Sequence, residues 1–337
     1  MKNNAAENAI IVIISYPDTV VRPAYWESSS KIWPKIGIGS VHAVQAGHAA
    51  LLLIKKNEPE IKYFDFGRYI TSYGNGRVRS FETDPELHIP LEARFKNNSI
   101  SNLDSILLWL EKHPEKTHGE GRLIASINHK INYENATKFI HNLVDEKEYP
   151  YGAFMKKASN CARFVTDTLI NSCTNRMVTL KLKSSYLLTP SPIGNTLKGK
   201  TVNKVYNVKN QKIEIYKNRS ILKEYKAAFF KKFDIELNLI GTELPDFKNF
   251  NLKKGTWLSG IGSGAWFHID EKLDHLNYKI SRHTLKGKKD FEGYFTANDP
   301  SFNFSLNHTF VHPSTCKEMY IKQNDKEFIF KPLRVKF

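Results

Sequence analysis

The sequence has few cysteines and no long hydrophobic run, and each of these absences limits the class of protein. Its three cysteines, Cys161, Cys173 and Cys316, are odd in number and lack the C-x-x-C spacing of zinc and redox sites. This usage argues against a disulfide scaffold, and we predict neither a metal site nor a cofactor. The strongly apolar runs, Ile10–Ile14 and Leu51–Ile54, are far shorter than the roughly 20 residues that span a bilayer. We therefore predict no transmembrane segment.

A secretory signal is also missing from the N-terminal residues "MKNNAAENAIIVIISYPD". Their apolar core is short, follows an acidic residue and is not succeeded by a small-residue cleavage site. We interpret this core as the first β-strand. Together with the low cysteine content, this predicts a cytoplasmic protein or one that is secreted without a cleavable signal peptide.

Positive charge, in contrast, is abundant and concentrated in the middle of the chain. The formal net charge is +16, and residues 176–232 contain fourteen basic residues against two acids. Two interpretations stay open: a solvated lysine-rich face or linker, and a surface for an anionic partner. The candidate partners are an anionic polymer or peptide substrate, murein among them, and a membrane surface. Nucleic acid is disfavoured, because no RNA-recognition or zinc-finger pattern accompanies the charge.

Sequence patterns divide the chain into three predicted regions. Residues 1–180 mix strand and helix patterns, residues 181–250 form a basic linker or helical connector, and residues 251–337 show only the strand and turn patterns of an all-β domain. We expect proteases to cut between about residues 181 and 212, and we expect the all-β domain to be dispensable for chemistry. The glycines of "SGIGSGA" in that domain fit a tight hairpin and not a phosphate-binding loop.

Two strands near the N-terminus place a histidine and an aspartate close together. "GHAALLLIKK" and "IKYFDFGRYI" predict a β-hairpin, and His48 opens its first strand after Gly47. On the second strand Asp65 alternates away from its aromatic neighbours. If the hairpin closes at "NEPE", Asp65 lies within a residue or two of the position opposite His48 and could hold one of its ring nitrogens.

The segment "KKASNCARFV" predicts a helix that begins at a cysteine. Ser159 or Asn160 is a suitable N-cap, which puts Cys161 in the first helical turn. The positive end of a helix favours a thiolate, and the backbone N–H groups there can hold an oxyanion. The alternative is a small buried cysteine that packs the helix against a sheet. A nucleophilic cysteine also needs a histidine and a third polar group, and His48 and Asp65 are the candidates, with His42 as a competitor.

These residues resemble the circularly permuted papain-like folds of the NlpC type, and "NCARFV" is similar to a stretch of the lecithin:retinol acyltransferase-like proteins. The resemblance covers roughly residues 10–175 and includes the order His48, Asp65, Cys161. It implies an α+β fold with an antiparallel sheet and a helix that starts at the cysteine, followed here by a smaller all-β domain. It further implies Cys161 as nucleophile, His48 as base and Asp65 as the orienting residue.

The function that follows from the resemblance is hydrolysis of amide bonds by a cysteine enzyme. The resemblance implies cell-wall peptides and protein or peptide isopeptides as substrates. Murein stem peptides come first, because the basic middle of the chain would hold an anionic polymer. The alternatives are a lipid acyl hydrolase or acyltransferase, and an inactive papain-like protein that binds a partner through its β domain.

Overall fold

The computed structural model describes residues 6–40, 42–217, 220–231, 243–248 and 250–333. Over these residues the chain forms a mixed α+β unit followed by an all-β unit, which confirms the predicted fold class. None of the helices in these ranges is long and apolar enough to cross a bilayer.

The first unit combines ten strands with short and medium-length helices. Its strands are β1 (Ala9–Tyr16), β2 (His48–Lys55), β3 (Lys62–Gly67), β4 (Asn75–Arg79), β5 (Phe95–Lys96), β6 (Ser99–Ile100), β7 (Leu123–Ile131), β8 (Tyr149–Pro150), β9 (Val205–Lys209) and β10 (Lys212–Ile215). The α-helices of the described residues are α1 (Ser28–Ile32), α2 (Leu103–Lys112), α3 (Pro114–Thr117), α4 (Tyr133–Asp145), α5 (Cys161–Ser172), α6 (Arg176–Lys183), α7 (Pro192–Lys198) and α8 (Ile221–Phe229).

An antiparallel sheet with the strand order β10-β9-β7-β1-β2-β3-β4-β8 forms the centre of the first unit. Every residue of β1 is buried, because helices cover both faces of the sheet. Helix α2 packs on one face, and α4 and α5 pack on the other. A strand buried on both faces needs apolar residues at successive positions, which explains the continuous run Ile10–Ile14.

The prediction of a linker over residues 181–250 is wrong for residues 181–215, because these residues belong to the first unit. This stretch contains the end of α6, helix α7 and strands β9 and β10, which extend the sheet beyond β7. Val205 and Val208 are buried in β9, whereas Lys209 and Lys212 are exposed. Lysines are common on edge strands because they prevent pairing with other chains. Part of the lysine-rich segment is therefore the solvated end of a sheet, formed by the edge strand β10 and its neighbour β9, and we no longer expect protease cuts there.

The second unit is one antiparallel sheet with the strand order β11-β12-β13-β14-β17-β16-β15. Its strands are β11 (Thr256–Gly260), β12 (Ser263–Lys272), β13 (Asn277–His283), β14 (Lys289–Ala297), β15 (Thr309–Val311), β16 (Met319–Gln323) and β17 (Lys326–Pro332). The turn between β11 and β12 falls in "SGIGSGA", so the predicted hairpin is confirmed.

The β11–β12 turn packs directly on the residues that follow β3. The amide of Ile261 donates to the carbonyl of Arg68 at 2.8 Å, and the amide of Ile70 donates to Ser263 Oγ at 3.1 Å. A Cβ at Gly260 would lie 2.2 Å from the Ile70 nitrogen, so only glycine permits this approach. The second unit is thus held against the chain segment that leaves the His48–Asp65 hairpin.

Candidate active site

Helix α5 begins at Cys161, as predicted. The Asn160 side chain caps the helix, with Oδ1 accepting from the amide of Arg163 at 2.9 Å. The thiol of Cys161 is buried at the N-terminal end of α5, and this helix packs against β2 and β3. Cys161 is therefore placed where the helix dipole and the unpaired N–H groups of the first turn favour negative charge.

His48 is the first residue of β2 and is buried. It follows Gly47, which has a φ of +75°, and a Cβ at that position would lie 3.0 Å from the Tyr16 carbonyl oxygen. The glycine thus allows the chain to enter β2 next to β1. The imidazole of His48 stacks on the ring of Tyr16 with 6.5 Å between ring centroids.

The hairpin register brings Asp65 to His48. Asp65 pairs with Ala50, two residues from His48, as the sequence predicts. The distance from His48 Nε2 to Asp65 Oδ2 is 3.2 Å. Because Asp65 is hydrogen-bonded to Nε2, Nδ1 is the ring nitrogen that is left to face the thiol of Cys161. The competitor His42 is exposed, and its Nδ1 lies 3.3 Å from the Tyr25 hydroxyl.

Asp65 is fully buried and is held by more than His48. Arg79 donates from Nε to Oδ1 at 2.9 Å and from Nη2 to Oδ2 at 2.5 Å, and the Tyr63 hydroxyl donates to Oδ2 at 2.9 Å. Burial alone would raise the pKa of Asp65, but the charge of Arg79 and the hydrogen bonds of His48 and Arg79 hold that pKa well below its usual range. Asp65 is therefore an anion fixed next to the imidazole.

The same network determines the protonation of His48. Burial lowers its pKa, but Asp65 and the neighbouring Cys161 thiol outweigh burial and raise the pKa to about 9. At neutral pH the imidazole of His48 is therefore protonated and can act as an acid. An imidazolium between a carboxylate and a cysteine is the arrangement used by thiol nucleophiles.

A cleft of about 330 Å³ opens over these side chains. Cys161, His48, Arg68 and Tyr151 line it from the first unit. Ile261 and its neighbouring glycine line it from the β11–β12 turn of the second unit. The all-β unit, expected to be dispensable for chemistry, thus forms part of the cleft wall. The described residues contain no group of three or more His, Cys, Asp and Glu side chains that could hold a metal ion.

Sequence reasoning missed three residues of the site. Arg79 lies opposite Asp65 in the register of β3 and β4, and the alternation of "NGRVR" puts Arg77 and Arg79 on one face. Arg68 lies in the cleft wall directly after β3. His118 also lines the cleft, and burial and the charge of Arg79 lower its pKa to about 3, so its ring is neutral. The alternating arginines were the available signal, since a buried aspartate needs a cation.

We expect turnover to fall as pH rises through about 9, because His48 then loses the proton that it gives to a leaving group. In Asp65→Asn the pH at which turnover falls on the alkaline side should move down toward about 6.5, the ordinary pKa of histidine. A pH profile of kcat/KM measures both. Alkylation of Cys161 by iodoacetamide needs no proton donor, so its rate should not fall at high pH. If the alkylation rate also fell at high pH, or if turnover of Asp65→Asn fell at the same pH as that of the wild type, His48 would not be the group whose deprotonation causes the loss of turnover.

Two family models match separate parts of the chain. The model described as type VI secretion system effector TseH-like matches residues 11–178, and that of the DUF6695 C-terminal domain matches residues 255–333. Both matches fall within the two units of the structure. None of the curated proteins that were compared matches the chain.

A solved structure, the crystal structure of the type VI secretion system effector TseH, aligns with a TM-score of 0.38 and 14% sequence identity. The alignment covers 63% of this chain and 100% of that chain. By the two family models, the unit that carries Cys161, His48 and Asp65 is similar in sequence to the type VI secretion system effectors of the TseH-like family, and the all-β unit is similar to the DUF6695 C-terminal domain.

Proposed function

We propose that the protein is a cysteine hydrolase of amide bonds with Cys161 as nucleophile, His48 as acid and base, and Asp65 as the positioning residue. The observation that supports this most strongly is the placement of Cys161 at the start of α5 beside an imidazole that Asp65 holds through Nε2. The three side chains act as one unit only if they meet, and the first two line the same cleft.

The reaction has two steps. The Cys161 thiolate attacks the carbonyl carbon, and the C–N bond breaks as His48 gives its proton to the leaving nitrogen. In the first turn of α5 the amides of Arg163 and Phe164 already donate to Asn160. The N–H groups of Cys161 and Ala162 are therefore the ones suited to hold the oxyanion. Water then attacks the thioester and passes a proton to His48, which releases a carboxylic acid and restores the thiolate and the imidazolium. One water molecule is consumed for each amide bond.

The name of the family that residues 11–178 match supports a role as a secreted bacterial effector. We propose export of this kind, without a cleavable signal peptide, with a cytoplasmic location as the alternative. Murein stem peptides and other peptide or isopeptide bonds are the proposed substrates. The exposed lysines of the β9–β10 edge, among them Lys209 and Lys212, would attract an anionic polymer.

The test is hydrolysis of muropeptides and peptides in H₂¹⁸O, followed by mass spectrometry. Hydrolysis predicts a new carboxylate that carries one ¹⁸O atom, and no product with Cys161→Ala. Products without ¹⁸O that are joined to a second amine or alcohol would instead establish an acyltransferase. Release of a fatty acid from lipids, with no amide cleaved, would identify a lipid acyl hydrolase. If no substrate is cleaved and Cys161 is inert toward alkylating reagents, the unit is an inactive binding module.

A further inference from the structure

Arg68 is a buried cation without an acidic partner. Its side chain is 7% exposed, and no carboxylate of the described residues forms an ion pair with it. Nη2 donates to the carbonyl of Arg22 at 2.5 Å, whereas Nη1 has no hydrogen-bond partner among the described residues. Burying an unpaired charge costs several kcal/mol, so a guanidinium with only a structural role would be expected to have a carboxylate beside it.

The guanidinium of Arg68 is fixed in place by its surroundings. It lies 4.6 Å from the centroid of the Tyr151 ring and 5.8 Å from that of Trp26. The backbone carbonyl of the same residue accepts from Ile261 of the second unit. A planar cation that contacts an aromatic ring and donates to a backbone carbonyl is already oriented before a ligand arrives, which reduces the entropy lost on binding.

This cation lies in the same cleft as the reacting groups. Arg68, Cys161 and His48 all line it, and Arg68 lies within electrostatic range of the Cys161 sulfur. Two acids, Glu115 and Glu120, also line the cleft, but neither pairs with Arg68. The buried Glu27 is occupied by the amides of the loop before α5, with Oε1 2.8 Å from the Phe154 nitrogen. Arg68 therefore brings an unpaired donor, the buried Nη1, to the wall of the cleft that contains the nucleophile.

We propose that Arg68 binds a carboxylate of the substrate next to the scissile bond. The proposal rests on the proposed function and narrows its substrate class to peptides and amides that carry an acidic group, either a terminal carboxylate or an acidic side chain, beside the bond that is cleaved. A guanidinium suits this ligand because its parallel N–H groups match the two carboxylate oxygens. The buried Nη1 has no partner among the described residues, so it is a donor that a bound carboxylate would satisfy.

The test compares two alkylating reagents of nearly the same size, iodoacetate and iodoacetamide, at Cys161. Only iodoacetate carries a carboxylate, and neither reaction forms an oxyanion. We expect Arg68→Gln to lower the rate of alkylation by iodoacetate about tenfold or more, as is typical for loss of a charged hydrogen bond. The rate of alkylation by iodoacetamide should change by less than about twofold. Arg68→Lys keeps the charge and should fall between the wild type and Arg68→Gln.

Lys156→Gln is the matched control, because it removes one exposed positive charge from the loop before α5 and does not line the cleft. It should leave both rates unchanged. An equal loss for both reagents in Arg68→Gln would show that Arg68 acts on the thiol and not on the carboxylate, and wild-type rates for both reagents would show that it binds no anion. Either result overturns the proposal.

A binding measurement separates this proposal from the proposed function. In the Cys161→Ala protein, which has no nucleophile, N-acetylglycine should bind as followed by NMR titration, and Arg68→Gln should weaken that binding about tenfold or more. If N-acetylglycine binds in this way but Cys161 of the wild type is inert, the carboxylate site at Arg68 is supported and the proposed hydrolase function is wrong. If Cys161 reacts rapidly but N-acetylglycine binds equally with and without Arg68, the hydrolase function is supported and the carboxylate site at Arg68 is wrong. In the wild type, N-acetylglycine should also slow the alkylation of Cys161 by iodoacetamide. This measurement uses no variant that could misfold.

Discussion

Replacing Cys161 by alanine is expected to lower kcat/KM for amide hydrolysis by about four orders of magnitude or more, because the covalent route is lost and only binding and the oxyanion site remain. The measurement is a steady-state assay on the substrate found by the ¹⁸O experiment. Alanine keeps the helix start, since the cap depends on the side chain of Asn160 and not on the thiol. The variant should therefore remain folded by circular dichroism.

Cys173→Ala is the matched control, since Cys173 lies just beyond the other end of α5 and outside the cleft. It removes the same atom from a partly buried site and should keep wild-type activity. If Cys161→Ala retains activity within about tenfold of the wild type, covalent catalysis by this thiol is wrong.

Asp65→Ala is expected to lower the free energy of unfolding by about 3–5 kcal/mol, because it leaves Arg79 as a buried charge without its carboxylate. The measurement is chemical denaturation near neutral pH. Loss of activity in this variant would mix a folding defect with the loss of His48 positioning. Asp65→Asn is the better kinetic variant, since it can still accept from Arg79 and Tyr63. We expect it to fold and to lose about two to four orders of magnitude in turnover.

Two controls separate burial from charge. In a double variant, Asp65→Leu with Arg79→Met, both charges are absent, so it should be more stable than Asp65→Ala. Glu58→Ala removes an exposed carboxylate that pairs with Lys55 and should leave the free energy of unfolding nearly unchanged. A wild-type free energy of unfolding for Asp65→Ala would show that the Arg79–Asp65 pair does not contribute to stability.

Local patterns were sufficient to predict the elements that carry the proposed triad. The run "AALLLI" after a glycine and histidine predicts β2, and the position of "NEPE" gives the hairpin its register, so Asp65 falls near His48 without any knowledge of the fold. The helix start is equally local, because an asparagine before the first helical residue is enough to cap it. Alternation and capping act over a few residues and can be read directly.

The rest of the site depends on contacts between distant segments. Arg79 meets Asp65 only because β4 pairs with β3 in a particular register, and that register depends on the conformation of the long turn between them. Arg68 and His118 reach the cleft from loops whose paths are set by α3 and by the second unit. The lysines of β9 and β10 suggested a linker because composition does not distinguish a solvated strand edge from an unstructured chain.

Alkylation of the three cysteines by iodoacetamide tests most directly whether Cys161 and His48 form a reactive pair. Quantitative mass spectrometry of the native protein near neutral pH would follow each site in the wild type and in His48→Ala. Cys316 is buried, and burial raises its pKa. The sulfur of Cys173 contacts the Asn128 amide at 3.4 Å and lies outside the cleft.

We predict that Cys161 reacts at least about tenfold faster than the other two cysteines, and that His48→Ala slows Cys161 alone, because a paired thiolate is the reactive form. Equal rates at all three cysteines, or a Cys161 rate that is unchanged in His48→Ala, would contradict the pairing on which the proposed function depends.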